Sequence, residues 1–554
     1  MTTTSATDTH ATGAPARTTL LTGGRIHSPA DPHATAMAVQ DGVVVWLGQD
    51  SVGATLYANA EETVDLDGAF VAPAFVDAHV HATSAGLLRT GVDLTSAPTM
   101  AAALDALAAH VRRHGRAPVW GHGWDETRWP EGRPPTRAQL DAAADGAPVY
   151  LSRVDVHSAL VSTALLDRAP DAARADGWHP EGPLTRDAHH HARRAARDAL
   201  TPGQRDDAQR AFLRHAAAMG VASVHECAGP DISGAADLAA LLAQPGDLPE
   251  VVAYWGQPVT ADAGAVAATH RVRGLAGDLF VDGALGSRTA ALHAPYTDSP
   301  DTSGALYLDP AAIGEHLRAC TEAGIQAGFH VIGDAAVTAV IEGFARAEQH
   351  LGRVAIAAAG HRLEHLEMVT PGQAQQLAHW GVIASVQPLF DAHWGGPHGM
   401  YAQRLGVERG TALNPFAQLA AAGVVLALGS DAPVTAVDPW AAVRAAVHHR
   451  TDGHGLSPRA AFTAHTRGGW RAAGVDDGLT GTLVPGAPAT YAVWDVEDLV
   501  VAAPDARVQR WSTDPRSRVP ALPRLDPGAA PPVCARTVLR GRTLFDRQEN
   551  HAPA

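Results

Sequence analysis

The chain has 554 residues, 46% of them hydrophobic and 18% charged; this excludes a disordered or fibrous polymer and leaves room for a barrel of about 250 residues plus accessory elements. A formal charge of -16 with no basic tract excludes a phosphate-neutralising surface, so no nucleic-acid partner is expected. Only Cys227, Cys320 and Cys534 occur, without a CxxC spacing, and there is neither a signal-peptide core nor a run of about 18 apolar residues, so the reading is a disulfide-free cytoplasmic protein with no membrane partner.

Taken in chain order, residues 1–18 are rich in Thr, Ala and Ser and are expected to be disordered. Residues 19–70 carry short Val-rich and Thr-rich runs parted by Asp41-Gly42 and Asp67-Gly68, dipeptides that close hairpins because both positions accept positive φ. A similar texture returns in 476–550, so the two ends are expected to join as one composite β-sandwich domain. Residues 71–475 alternate apolar strand-like runs with Ala-rich helical stretches, the rhythm of an α/β fold with a parallel (β/α)8 TIM-like barrel. Its strands are expected at 71–80, 221–225, 251–255, 278–281, 325–330, 361–365, 382–386 and 424–428. Between the first two, residues 91–203 add strands and Trp-rich, Pro-rich loops, an insertion expected to cover the barrel mouth and shape a substrate pocket.

The run Asp77-Ala78-His79-Val80-His81 ends the first barrel strand. Residues i and i+2 of a strand share a face, so both imidazoles converge on one ion at the C-terminal mouth. Alone, such a pair is a weak signal in a chain with 30 histidines. Three further groups fall at later strand ends: His330 after 325–329, His365 after His361-Arg362-Leu363-Glu364, and Asp431 after 424–430. Four histidines and an aspartate at successive strand ends form a ligand set for a divalent ion, and imidazole with carboxylate suits zinc, iron and manganese alike.

These residues sit in longer motifs: Ala72-Pro73-Ala74-Phe75-Val76-Asp77-Ala78-His79-Val80-His81, Asp282-Gly283-Ala284-Leu285-Gly286-Ser287-Arg288-Thr289-Ala290, His330-Val331-Ile332-Gly333-Asp334, Arg362-Leu363-Glu364-His365, Ser385-Val386-Gln387-Pro388 and Gly429-Ser430-Asp431-Ala432-Pro433. Together they resemble the amidohydrolase superfamily, and in detail its amidohydrolase 3 branch, which includes N-substituted formamide deformylases. The resemblance implies a metal-dependent hydrolase that cleaves a carbon–nitrogen bond other than a peptide bond, in a linear amide or formamide of a small molecule, by metal-activated water. It makes His79, His81, His330 and His365 metal ligands and Asp431 both ligand and general base, with zinc the expected ion. Deamination of a ring amine or opening of a cyclic amide would use the same site. The intact ligand set argues against a third reading, a non-catalytic regulatory protein. The oligomeric state is left open, a homo-oligomer included.

Substrate contacts are expected from Asp282 and Arg288, with His293, in the loop after the fourth strand, and from Trp124, Asp125 and His157 in the insertion. The plainer alternatives are a loop salt bridge for Arg288 and a packing anchor for Trp124. His361 and Glu364 are read as orienting the ligands or as core, and His225-Glu226-Cys227 as supporting wall. The histidines His189 to His191, His448 and His449 are read as solvated helix faces. Two-metal members of the superfamily bridge their ions with a carboxylated lysine, which this branch places four residues before the Asp-Gly that is here Asp282-Gly283. That position is Asp278, and every one of the 42 basic residues is an arginine, so no carbamate can form. Because aspartate is several bonds shorter and a barrel strand is rigid, one tightly bound ion is favoured over a pair bridged by Asp278. His365 would then bind that ion weakly or face the substrate.

Overall fold

The apolar runs in the middle of the chain pair in parallel, each with its successor. In the computed structural model, which describes residues 17–153, 158–230, 232–501 and 519–549, they form one eight-stranded sheet. Its strands are β1 (Phe75–Val80), β2 (Val221–Ala228), β3 (Glu250–Trp255), β4 (Gly274–Leu275), β5 (Gln326–Val331), β6 (Arg362–His365), β7 (Ile383–Val386) and β8 (Val425–Leu428), in that order across the sheet. Every residue of β1, β2, β5, β6 and β7 is buried, because helices cover the outside and side chains fill the inside. The sheet meets itself at the mouth: the amide of Asp431 donates to the His79 carbonyl and that of His81 to the Ala432 carbonyl, both at 2.8 Å. Gly429 permits this approach, since a Cβ there would lie 2.6 Å from the His79 nitrogen.

Two strands depart from expectation. The run at 71–80 is split, with Phe70–Pro73 pairing in another sheet before β1 begins. The fourth strand lies at Gly274–Leu275 rather than 278–281. The chain turns at Gly277, whose φ of 79° and close approach to Cys227 exclude a side chain, a Cβ falling 2.9 Å from that of Cys227. Pairing resumes beyond the kink, where the amide of Val281 donates to the His330 carbonyl at 3.0 Å and that of His330 to the Leu279 carbonyl at 2.9 Å. Asp278 occupies the kink.

Both ends of the chain contribute to a second five-stranded sheet, in the order Arg25–Ile26, Phe70–Pro73, Tyr491–Asp495, Val533–Leu539, Arg542–Asp546. A four-stranded sheet faces it, and Leu21, Met37 and Val44 from that sheet pack with Val71, Tyr491 and Val538. The Asp41-Gly42 turn, with φ of 49° and 78°, joins two antiparallel strands of the four-stranded sheet. Thr18 opens a strand inside the segment expected to be disordered, and residues 1–16 lie outside the described residues. The insertion folds around its own five-stranded sheet, from Val92–Asp93 to Leu184–Thr185, with two apolar clusters separate from the barrel core. No helix among the described residues is long and apolar enough to cross a membrane.

Candidate metal centre

At the C-terminal mouth four imidazoles and two carboxylates meet. His79 lies in β1 and His81 just past it, His330 is in β5, and His365 ends β6. Asp278 and Asp431 each stand three residues beyond the last residue of their strand, β4 and β8. The Nε2 of His81 is 3.2 Å from Asp278 Oδ2 and 3.3 Å from Asp431 Oδ1. The Nε2 of His79 is 3.5 Å from Asp278 Oδ1 and 3.6 Å from Asp431 Oδ1. His330 Nδ1 and His365 Nε2 approach Asp278 Oδ1 at 3.5 and 3.9 Å. His365 and Asp431 both hold positive φ, 70° and 55°, a conformation that costs about 1–3 kcal/mol and persists where the surroundings fix it.

The hydrogen bonds on the far side of three rings settle where their protons are. His79 Nδ1 donates to Glu364 Oε2 at 2.9 Å, His365 Nδ1 to Gln387 Oε1 at 2.8 Å, and His330 Nε2 to the Gly283 carbonyl at 3.2 Å. The opposite nitrogen of each faces the carboxylates, and in the neutral ring it is a lone-pair donor aimed at them. His79 Nε2, His330 Nδ1, Asp278 Oδ1 and Asp431 Oδ1 are buried with no hydrogen-bond partner among the described residues. Acceptors facing acceptors in a buried site repel unless a positive charge lies between them.

The electrostatics agree. Burial works against ionisation of Asp278 and Asp431, yet the imidazoles around them, His79 foremost, hold Asp278 well below the usual carboxylate range and lower Asp431 as well. Burial equally opposes a charged His365, but Asp278 and Asp431 outweigh it and push its pKa up to about 9. The cluster thus favours added positive charge, from protons or from a cation.

Beneath the mouth a buried ion pair supports β1. Arg362 is fully buried and donates to both oxygens of Glu364 at 2.6 and 2.9 Å, to the Ala78 carbonyl at 2.7 Å, and lies 4.2 Å over the Tyr254 ring. Burial opposes the charge of Glu364, but the Arg362 guanidinium holds it well below its ordinary range. Asp77 Oδ1 accepts from the Ser430 amide at 2.8 Å, tying β1 to the loop that carries Asp431. Phe390 stacks on His365 with ring centres 6.0 Å apart, and Phe280 lies 4.7 Å from His330.

The other sequence-derived candidates have different surroundings. Asp282 is buried and accepts from the amides of Ile332, Gly333 and Ala291 at 3.0, 2.8 and 2.9 Å, so its carboxylate braces the loop instead of facing a substrate. Arg288 is held by Asp298 through two hydrogen bonds at 3.1 and 2.8 Å, the loop salt bridge of the plainer reading. Trp124 is 1% exposed and donates to the Leu151 carbonyl, a packing anchor inside the insertion. Asp125 accepts from Thr127 and pairs with Arg153, and His293 bonds Thr338. His157 lies outside the described residues. His361 accepts the Ala327 amide in the core, away from the cluster. His189 is buried against the Tyr150 hydroxyl at 2.7 Å and not on a solvated face.

The preference for one ion rested on the short reach of Asp278, yet the structure places its carboxylate 3.2–3.9 Å from all four imidazoles. That preference assumed a straight fourth strand, whereas the chain turns at Gly277 and the Asp278 backbone passes close to Gly256, where a Cβ would meet the Asp278 carbonyl oxygen at 2.6 Å. Gln387, Arg362 and Asp77 were present in the motifs but received no role. The partners of Gln387 and Asp77 lie on adjacent strands or the loops that follow them, whereas Arg362 reaches across the barrel to Ala78 and Tyr254, so none of these pairings is visible in the local sequence.

A sequence profile described as "Amidohydrolase family" matches residues 62–545. The chain is 27% identical over 441 residues to the putative amidohydrolase YtcJ of Bacillus subtilis (strain 168), covering 74% of this chain and 80% of that protein. It is 25% identical over 463 residues to the N-substituted formamide deformylase of Arthrobacter pascens, covering 78% and 83%. Among solved structures, an uncharacterized metal-dependent hydrolase from Pyrococcus furiosus superposes with a TM-score of 0.72 at 27% identity, covering 87% of this chain and 99% of that one.

Proposed function

The chain belongs to the amidohydrolase family, and on that premise we propose that it is a metal-dependent hydrolase cleaving a carbon–nitrogen bond other than a peptide bond, in a linear amide or formamide of a small molecule. The observation that carries this reading is the convergence of bare imidazole nitrogens on two ionised carboxylates at the barrel mouth. Nitrogen and oxygen donors of this kind fit zinc, held by His79, His81, His330, His365, Asp278 and Asp431. The names of the relatives, a formamide deformylase and a metal-dependent hydrolase, support the same reaction class.

When bound, a divalent ion supplies an activated water and polarises the scissile carbonyl. The rest falls to the protein. Asp431 accepts the proton of the attacking water on its carboxylate and delivers it to the departing nitrogen, which leaves as an amine. Its backbone is pinned to His79, so the carboxylate keeps its aim through the transfer. Glu364 holds the proton of His79 on Nδ1 and keeps Nε2 available, and Gln387 does the same for His365. Phe280 and Phe390 pack against the rings of His330 and His365 and hold them in place.

Turnover on formamides, acyl amides and cyclic ureides tests the proposal. Hydrolysis of the open-chain amides, formamides foremost, is expected. Metal-loaded protein that opened only the cyclic ureides would overturn the substrate class, and one inert on all three would overturn the reaction.

A further inference from the structure

We propose that this protein holds two divalent ions joined directly by the Asp278 carboxylate, with no carbamate, so that metal loading is independent of carbon dioxide. The inference rests on the metal-dependent reading above and specifies how this chain's own residues realise it.

Position comes first. The two oxygens of Asp278 face different partners: Oδ2 looks to His81 at 3.2 Å, while Oδ1 looks to His330 at 3.5 Å and His365 at 3.9 Å. His79 Nε2 stands 3.5 Å from the same Oδ1. Asp431 adds an oxygen near His79 and His81 only, at 3.6 and 3.3 Å. Mutually close ligand atoms form the sets His79, His81, Asp278 and Asp278, His330, His365, with Asp278 common to both, and a further set, His79, His365, Asp431, runs between them.

One ion cannot serve both sets. Two donors on a single zinc, each about 2.1 Å away, stand at most about 4.2 Å apart. Among the described residues no set of atoms within 4.8 Å of one another unites His330 with His81 or Asp431. A single ion on His79, His81 and Asp431 would leave His330 Nδ1 facing Asp278 Oδ1 at 3.5 Å in a buried site, with only a proton or a second cation to join them. A second cation would take those two atoms and His365 as its ligands. The chain contains no lysine, so no side-chain amine is present to take up carbon dioxide and form the bridge instead.

Architecture explains how so short a side chain reaches the centre. The chain leaves its strand at Leu275, turns at Gly277 and passes close to Gly256, and from that placement the Asp278 carboxylate lies within 3.9 Å of all four imidazoles without a longer side chain.

The test is zinc titration of chelator-treated, full-length protein in buffer purged of carbon dioxide, read by elemental analysis, with anomalous diffraction at the mouth. The wild type is expected to take two ions about 3.5 Å apart on either side of Asp278. Adding bicarbonate is expected to change nothing. Asp278→Asn and Asp278→Ala are each expected to hold at most one ion, on His79, His81 and Asp431, with melting of the metal-free protein reporting that they fold. One ion at saturation in the wild type, two ions without Asp278 between them, variants that still take two, or a bicarbonate requirement would each overturn the bridge. Failure of the function reads differently: two bridged ions in a protein inert on every amide would uphold this inference and sink the hydrolase.

Discussion

At the scale of residues, Asp431 and Glu364 are separable. Asp431→Asn keeps the shape of the side chain and a carbonyl oxygen but can no longer carry a proton, so hydrolysis is expected to fall by about 100-fold or more while the fold persists. Rates near wild type in a folded, metal-loaded Asn variant would remove Asp431 from the proton path. Glu364 is fully buried behind His79, whose ring it fixes, and it neutralises a buried guanidinium. Glu364→Gln keeps an oxygen for His79 but leaves Arg362 uncompensated in the barrel, with an expected loss of about 3–5 kcal/mol. Metal affinity is expected to drop by roughly 10–100-fold. Denaturant unfolding and competitive metal titration check the two effects separately, and an unchanged metal affinity would make Glu364 structural alone.

At the scale of elements, the imidazoles that gather at the ends of β1, β5 and β6 were legible because each follows an apolar run whose pattern needs no knowledge of neighbours. The fourth strand was not. Its two residues are too few for a pattern, and the glycine that bends the chain looks, in sequence, like any loop glycine. Trp124, by contrast, faces inward for reasons set by the strand pairing of the insertion.

The helix Pro310–Glu322 is anchored to β4 by His316, whose Nε2 donates to the Leu275 carbonyl at 2.9 Å while Nδ1 accepts from the Val259 amide at 3.1 Å. Burial pushes this histidine down to about 4 from its ordinary 6.5. The folded chain then binds fewer protons than the unfolded one between those values, so stability is full above pH 6.5 and falls as pH drops toward 4. His316→Gln can keep both hydrogen bonds without titrating. Between pH 7 and pH 4 the wild type is expected to lose about 3 kcal/mol more than this variant in urea unfolding. Equal losses would show that His316 does not carry the acid sensitivity.

At the scale of the whole molecule, the apolar clusters divide the labour. The barrel core carries the cluster of imidazoles and carboxylates, the β-sandwich joins segments from both ends of the sequence, and the insertion has one cluster shared with the helices that flank it and one of its own. Leu107, fully buried in the insertion with Val119, Val149 and Leu151, tests this independence. Leu107→Ala is expected to destabilise the insertion by about 2–5 kcal/mol and to shift relative rates across the amide panel, while zinc stoichiometry stays as in the wild type. Loss of bound metal in this variant would tie the insertion to the centre itself.

The central claim is that the cluster at the barrel mouth hydrolyses carbon–nitrogen bonds only when it holds a divalent ion. The direct measurement follows formamide hydrolysis and bound metal together, through chelation and stepwise return of zinc to the same sample. Activity that vanishes on chelation and returns in proportion to the metal bound is the predicted result, and undiminished turnover by protein shown to be metal-free would contradict the account.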